Sequence, residues 1–380
     1  MKFTIAEDEL NEAIQIVSKA ISNRTSIPIL SGIKLDADHQ GLTLTASDTE
    51  ISIQSFIPLE RDERQIIELD VPGSVVLPAK FFSEIVRKVP TEQIEIEVTE
   101  NFRTLIRSGT LEVQIVGLDP EEYPLLPQID GNRIITLPSD IIKSMIRQTV
   151  FAVSSNESTP ILTGVLWTIS DGIIKFTGCD RHRLATREAR FDSNQDIRAN
   201  NIVVAGKTLN ELQKILPDQN VLVDIVLSEN QLLFKLQSVL FYTRILDGTY
   251  PDTSKLIPQS FQTELVVETK KLAEAIDRAY LLSREEKTNI VRMVMSDRQT
   301  IEVSSSSSEL GKVTEQIHVN EISGELLKIS FNSKYMLDAL KVMDSEQIHI
   351  GFTGSMQPII IKPADSTPLL QLILPYRTTN

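Results

Sequence analysis

Apolar residues recur along this chain with two periods that alternate. In residues 7–21, EDELNEAIQIVSKAI, Leu10, Ile14, Val17 and Ile21 fall at i, i+4, i+7 and i+11, the spacing that lines one face of a helix. From 33 to 58 the period drops to two: Ile33 and Leu35, then Leu42, Leu44 and Ala46, then Ile51 and Ile53. The turn DHQG (38–41) separates the first two runs, so this stretch predicts half-buried strands. A second helix opens at Lys80 and runs to 89, and 94–98, 104–107 and 111–116 read as further strands.

The order helix, strands, helix, strands then repeats. SIPILSGIKL (26–35) returns as STPILTGVLW (158–167) and KTNIVRMVMS (287–296), each read as a strand-like stretch after a helix. VVLPAKFFSEIVRKVP (75–90) returns as IVVAGKTLNELQKILP (202–217) and ISFNSKYMLDALKVMD (329–344). Within these copies Lys80, Lys207 and Lys334 stand 127 residues apart. A third landmark occurs twice at that interval, LDPEEYPLLP (118–127) and LDGTYPDTSKLIP (246–258). A period this long is that of a whole domain, not of a solenoid unit. The expectation is an α+β chain of three homologous domains, 1–126, 127–255 and 256–380, each built of two helix-plus-sheet halves.

Such sheets, covered by helices on one face, expose hydrogen-bonding edges at both ends. Setting the domains side by side pairs the internal edges, and head-to-tail closure of two copies removes the last ones. The candidate terminal edges are residues 104–116 and 300–317, which points to a homodimeric ring of six domains.

Composition bounds the class. Apolar residues at 41% and charged residues at 24% suit a globular protein, and no window reaches the run of about 18 apolar residues of a membrane span. The N-terminal MKFTIAEDELNEAI turns acidic too early for a secretory leader, and the single Cys179 excludes an intrachain disulfide, so a cytoplasmic location without a membrane partner is expected.

Charge at first argues against nucleic acid, since the net value is −14. Its distribution changes that. The six helical windows 7–24, 79–90, 139–153, 206–216, 269–284 and 333–343 carry −2, +2, +1, +1, +2 and +1, which leaves −19 on everything else. Helices lining a hole would offer Arg24, Lys80, Arg87, Lys88, Lys143 and Arg147 to phosphates, with Lys207, Lys214, Lys271, Arg278, Lys334 and Lys341 from the later windows. The acidic remainder would repel duplex from the outside. The first helix departs from this, with Glu7, Asp8, Glu9 and Glu12 at its start.

Catalytic signatures are missing from the sequence. His39, His182, His318 and His349 form no paired metal spacing, and Cys179 with His182 has no third ligand nearby. There is no phosphate-binding GxxxxGK[ST], no GxGxxG after a strand and no GxSxG. The acidic pairs Glu121–Glu122 and Glu285–Glu286 read as solvated neighbours. The expectation is a non-enzyme without metal or cofactor.

Three stretches carry a resemblance. NRTSIPILSGI (23–33), CDRHRLA (179–185) and LILPYR (372–377), together with the threefold repeat, resemble the bacterial DNA polymerase III β subunit family over the whole chain. The resemblance implies a processivity factor: a dimeric ring around double-stranded DNA, opened by a clamp loader, that tethers the polymerase III catalytic subunit and other proteins carrying a clamp-binding motif. It also implies an apolar docking cleft between the second and third domains. Matching motifs place Leu162, Cys179, Arg181, His182, Arg183 and Leu184 in that cleft, with Pro251, Lys255 and Leu256 on the next wall. Tyr335, Met356, Leu372, Ile373, Leu374, Pro375, Tyr376 and Arg377 complete it. Taken without the resemblance, Leu162, Leu184 and Leu372 read more readily as core leucines than as cleft residues, and it is the resemblance that tips the balance. Arg24 matches a family position that projects into the hole.

For the dimer seam, Ile106, Arg107, Val113 and Ile115 would meet Leu281, Leu282, Glu309 and Glu315 of a second copy, and the serine run 304–308 stands where relatives are more acidic. Two departures mark the cleft: Cys179 and Arg181 replace a threonine and a glycine, and the chain continues past Arg377 with Thr378, Thr379 and Asn380. A repeat-built scaffold that binds peptides without DNA is the competing reading.

Overall fold

The computed structural model describes residues 1–22, 25–126, 129, 133–191, 197–285 and 288–377. By packing, the chain divides into two units, Met1–Asp140 with Lys214–Ile245 and Ile141–Gln213 with Leu246–Asn380.

The first unit is built on two main antiparallel sheets. Five strands run in the order Leu111–Val116, Arg103–Ser108, Gln93–Val98, Lys2–Ala6 and Ile67–Val71. Eight run in the order Arg133–Pro138, Leu222–Leu227, Gln231–Leu236, Val239–Arg244, Ile51–Pro58, Gly41–Ser47, Gly32–Asp38 and Gly73–Pro78. Helices α1 (Glu7–Val17) and α2 (Ala79–Val86) belong to this unit. α1 opens with Glu7, Asp8 and Glu9, whose charges favour the positive end of the helix dipole. It buries Leu10, Ala13, Ile14 and Val17, and each of the larger three contributes about 1.5–3 kcal/mol by leaving water. The α-helix stops at Val17 and tightens into a 3-10 turn, Ser18–Ala20, so Ile21 leaves the helical face on which the spacing put it.

The second unit holds a nine-stranded sheet and a four-stranded one. The order in the larger is Ala199–Ala205, Gly164–Ser170, Ile173–Cys179, Arg183–Arg190, Leu369–Ile373, Ile359–Pro363, Gln347–Phe352, Thr263–Glu268 and Glu321–Gly324. In the smaller it is Gly311–His318, Thr300–Ser307, Ile290–Met295 and Lys328–Asn332. All but the outer ends of α3 (Ser139–Thr149) and α4 (Gly206–Ile215) lie here, together with α5 (Thr269–Glu285) and α6 (Ser333–Lys341). Asn332 caps α6, its side chain accepting from the backbone N–H of Lys334 and Tyr335 at 3.0 and 3.2 Å. Leu272, Ile276 and Ala279 of α5 pack with Met293, Val303, Phe331 and Leu337 in one core.

The packing division cuts through the middle repeat because strand ladders join it to both neighbours. The 51–58 strand pairs with 239–244, from Ile51 opposite Thr243 to Ser55 opposite Val239. The 183–190 strand pairs with 369–373, from Arg183 opposite Ile373 to Arg187 opposite Leu369. The 111–116 and 311–318 strands each end their sheets, bonded on one side only.

One element was not foreseen, and one local expectation needs correction. The N-terminal residues form a strand that pairs on both sides, with 67–71 and 93–98. The first two copies of the landmark expected to be strand throughout begin with 3-10 turns, Pro28–Ser31 and Pro160–Thr163, and the strands start at Gly32 and Gly164. Proline at the first turn presets its φ and removes an N–H that would have no partner there.

Candidate functional site

In the second unit the turn Pro160–Thr163 delivers Leu162, and the hairpin 173–190 delivers Cys179 and Leu184. These join Val203, Tyr250, Ile360 and Leu372 in a separate apolar cluster, flanked by the half-buried Ile161, Leu246, Ile257, Phe261 and Leu370. Side chains alternate across the 369–373 strand. Leu370 and Leu372 face this cluster, while Leu369 and Ile373 face the core below α5 and α6. Ile373, expected in the cleft, is therefore a core residue of the third repeat. Val203 and Tyr250 were missed, although Tyr250 sits in a landmark repeated from Tyr123, and both tyrosines are buried. Burial pushes the Tyr250 phenol well above its ordinary value.

The hairpin loop is fixed by Asp180. Its Oδ1 accepts from the backbone N–H of His182 and Arg183, both at 3.0 Å, and its Oδ2 accepts from Arg183 Nε at 2.9 Å. Arg181, between them, has φ 77°. This left-handed conformation costs a side-chain-bearing residue about 1–2 kcal/mol relative to glycine. The first unit contains the same turn: Asp48 Oδ1 accepts from Glu50 and Ile51 at 3.0 and 2.9 Å, and Thr49 also has φ 77°.

Arg183 turns inward instead of lining the rim. Its Nη1 donates to Asp338 Oδ2 on α6 at 2.8 Å, and the guanidinium lies 4.5 Å from the Tyr335 ring centroid and 5.4 Å from that of Phe151. Tyr335 packs against the third-repeat core and stacks with His182 at 6.2 Å between ring centroids. The backbone beyond the last strand is held by Leu374 N–H donating to His182 O and Tyr376 N–H donating to Ser330 O, at 2.8 and 2.7 Å. Pro375 bridges to Phe331.

Pro251, Lys255, Leu256, Arg181, His182, Leu374, Tyr376 and Arg377 are exposed around this region. Met356 is exposed in the turn between the 347–352 and 359–363 strands and lies outside the apolar cluster. Cys179 is buried, and burial raises its thiol pKa, which keeps it protonated and unreactive. Thr378–Asn380 lie outside the described residues.

The helices sort the cations proposed for phosphate. Lys80, Arg87, Lys88, Lys207, Lys214, Lys334 and Lys341 are exposed. Arg147 is half-buried and donates to Asp344 at 2.5 Å, and Lys271 pairs with Glu268 at 2.6 Å. Arg278 makes a two-pronged pair with Glu315 at 2.6 and 2.8 Å, which ties a residue expected at DNA to one expected at the dimer seam. Arg24 lies outside the described residues.

The edge strands also rearrange the seam residues. Ile106 is fully buried within its own chain and cannot face a second copy. Val113 and Ile115 are half-buried on the 111–116 edge strand, and Leu281, Leu282 and Glu309 are at least partly exposed. Arg107 is engaged by Glu95, Glu97 and Glu112 at 2.5, 3.0 and 3.0 Å, which raises its pKa. The serine run belongs to the strand next to the edge; Ser304, Ser305 and Ser307 are buried, and Ser305 donates to Ala279 O of α5. Phe81 of α2, 62% exposed, is an apolar surface residue that the periodicity did not single out.

Among the described residues no group of three or more His, Cys, Asp or Glu could hold a metal ion, and no helix is long and apolar enough to cross a membrane.

Comparison with known proteins agrees over the full length. Models of the DNA polymerase III β subunit match its N-terminal domain at 1–127, its central domain at 136–252 and its C-terminal domain at 254–377. The beta sliding clamp of Bacillus subtilis is 52% identical over 378 residues, covering 100% of both chains, and that of Halalkalibacterium halodurans is 48% identical with the same coverage. The crystal structure of the Bacillus subtilis DNA polymerase sliding clamp superposes with a TM-score of 0.97 at 51% identity over 100% of each chain. Three successive family domains, laid along a chain of the same length and fold, place this protein in the DNA polymerase III β subunit family.

Proposed function

We propose that this chain is a DNA sliding clamp, a processivity factor without catalytic activity, that works as a ring of two copies around duplex DNA in the cytoplasm. The observation that carries this reading is the strand ladder between repeats. Two ladders join the three repeats, and the 111–116 and 311–318 strands remain as edges that can pair between copies. Head-to-tail pairing of these edges closes six repeats, bounded near 1–126, 127–255 and 256–380, into a ring. Val113 and Ile115 of one copy then face Leu281 and Leu282 of the other.

Lys80, Arg87, Lys88, Lys207, Lys214, Lys334 and Lys341 on the helices supply a loose, sequence-independent attraction to phosphates, with Arg24 and the paired Arg147 and Arg278 as lesser contributors. Topology, not contact strength, keeps the ring on DNA. The apolar cluster around Leu162, Leu184 and Leu372 accepts short partner segments bearing bulky apolar side chains. Leu256, Leu374, Pro375 and Tyr376 form its walls, with Pro251, Lys255, Met356 and Arg377 farther out. Polymerase, clamp loader and other motif-bearing proteins share this site.

Mass in solution tests the assembly. Light scattering should give about 85 kDa, twice the 42.6 kDa chain. Loaded protein should stay on a nicked circle and slide off after the circle is cut. A 42.6 kDa particle at every concentration, or retention indifferent to DNA ends, would leave a peptide-binding scaffold as the better reading.

A further inference from the structure

Two buried glutamines tie the second repeat to the third directly behind the apolar cluster. In the ladder between the repeats Leu184 stands opposite Leu372 and Ala185 opposite Gln371, and strand alternation turns Gln371 away from the cluster toward α3. Its Nε2 donates to Gln148 O at 3.1 Å, one of the last carbonyls of α3, which have no acceptor role left within the helix. The Gln148 side chain is used at both ends. Oε1 accepts from Arg187 Nε at 2.9 Å, and Nε2 donates to Val342 O and Asp344 Oδ2, each at 3.3 Å. Gln148 and Gln371 are only 2% and 1% exposed.

The fold does not require this network. Aligned on SIPILSG (26–32) and STPILTG (158–164), Gln148 falls on Ile16 and Arg187 on Ser55. Phe241, opposite Ile53, stands where Gln371 stands opposite Ala185. Neither Ile16 nor Phe241 has a side chain that can make such bonds, and Ile16, Ser55 and Gln237 line a cavity of about 510 Å³ there. Buried polar side chains add little net stability over apolar ones of the same shape. What a satisfied network adds is a single arrangement of the parts it joins.

The docking cluster depends on that arrangement. Leu162, Cys179, Leu184, Val203 and Tyr250 come from the second repeat, and Ile360 and Leu372 from the third. We propose that Gln148 and Gln371 are positioning residues for the docking site, locking the two repeats so that both halves of the cluster stand at binding distance before a partner arrives. This rests on the docking role proposed above. Where the lock is lost, only a fraction of molecules holds the assembled cluster, and apparent affinity falls by that fraction. The loss is carried by association, since a bound segment itself bridges the two halves.

Binding of a labelled decapeptide with a Leu-Phe pair, followed by anisotropy and stopped flow, tests this beside hydrogen exchange of the full chain. Gln148→Leu and Gln371→Leu should each bind about three- to tenfold more weakly, through slower association with dissociation nearly unchanged. Amides of 183–187 and 369–373 should exchange faster in both variants, and saturating peptide should restore their protection, because binding and locking are linked. Val303→Ala, in the third-repeat core, should lower thermal stability without changing peptide affinity. Unchanged affinity and exchange in both glutamine variants overturn the proposal, and so does an equal loss of affinity in Val303→Ala, which would reduce the network to general stability. If the intact protein binds no peptide, the docking reading fails and this inference with it.

Discussion

Arg183 is the residue on which the region beneath the docking cluster most depends, and replacing it by methionine isolates its charge. Methionine keeps much of the volume but removes the donors to Asp180 at 2.9 Å and Asp338 at 2.8 Å and the cation over Tyr335 at 4.5 Å. The side chains of Arg183, Asp180 and Asp338 are 12%, 12% and 25% exposed, so little water is available to replace the lost partners. Two hydrogen bonds between charged groups contribute roughly 1.5–3 kcal/mol each in favourable cases, and the ring contact about 0.5–1 kcal/mol. Discounting for residual solvent, Arg183→Met should destabilise the second unit by about 2–4 kcal/mol. Thermal unfolding should report this as a drop of about 5–15 °C in the transition of that unit. Much of the loss comes from stranding the Asp338 carboxylate, because removing one partner costs more than removing both. The double variant Arg183→Met/Asp338→Asn should therefore recover about half of it. A double variant no more stable than the single one would refute the account of Arg183 as a charge bridge between hairpin and α6.

Four other perturbations address separate features. Glu315 is held below its ordinary 4.5 by its hydrogen bond to Arg278, so the pair stabilises the third repeat fully above that value and loses its effect as pH falls through the lower folded value. Urea midpoints of the intact protein and Glu315→Gln should differ at neutral pH and converge in acid; a constant gap contradicts the pairing. A Cβ on Gly178 would lie 2.3 Å from Thr149 O, so Gly178→Ala should cost about 1–3 kcal/mol by denaturant unfolding, and a neutral result would show that the end of α3 yields freely. Val113→Glu puts a charge on the half-buried face of the edge strand and should shift the scattering mass from a dimer toward 42.6 kDa without loss of helical signal; an unchanged mass rules the 111–116 edge out of the seam. Neutralising Lys80, Lys207 and Lys334 together should flatten the salt dependence of duplex binding by up to about 3 in log–log slope, and an unchanged slope removes these lysines from the phosphate path.

Features legible in the sequence were those written into local period. Leu10, Ile14 and Val17 reported α1, and the DHQG turn reported a hairpin in which Asp38 accepts from the backbone of Gln40 and Gly41. The 127-residue recurrence marked three lysines that open, or stand near the opening of, α2, α4 and α6. The apolar cluster was found through motif matching, because a leucine in a strand reads alike whether it faces a core or a cleft. Leu372 and Ile373 show the limit: they are neighbours in sequence, and only the face of the strand separates a docking residue from a core residue. Long-range partners left no local signal. Arg278 and Glu315 are 37 residues apart, and Arg183 and Asp338 are 155 apart, so their pairing emerges only once the sheets are assembled. The strand at 2–6 was hidden by the acidic helix start that follows directly.

The ladders between repeats have a kinetic consequence. Each joins strands of one polypeptide, so if it parts, its halves remain within a short chain length of each other and meet again at a high effective concentration. A seam between two copies has no such leash. Once open, it recloses at a rate set by diffusion of separate ends or by the patience of the opposite seam. Two ladders of similar hydrogen bonding thus have unequal lifetimes in the open state, and the asymmetry comes from covalent connectivity alone. In the ring proposed above, a force that parts one seam would need no special weakness there, because every internal joint would spring shut behind it.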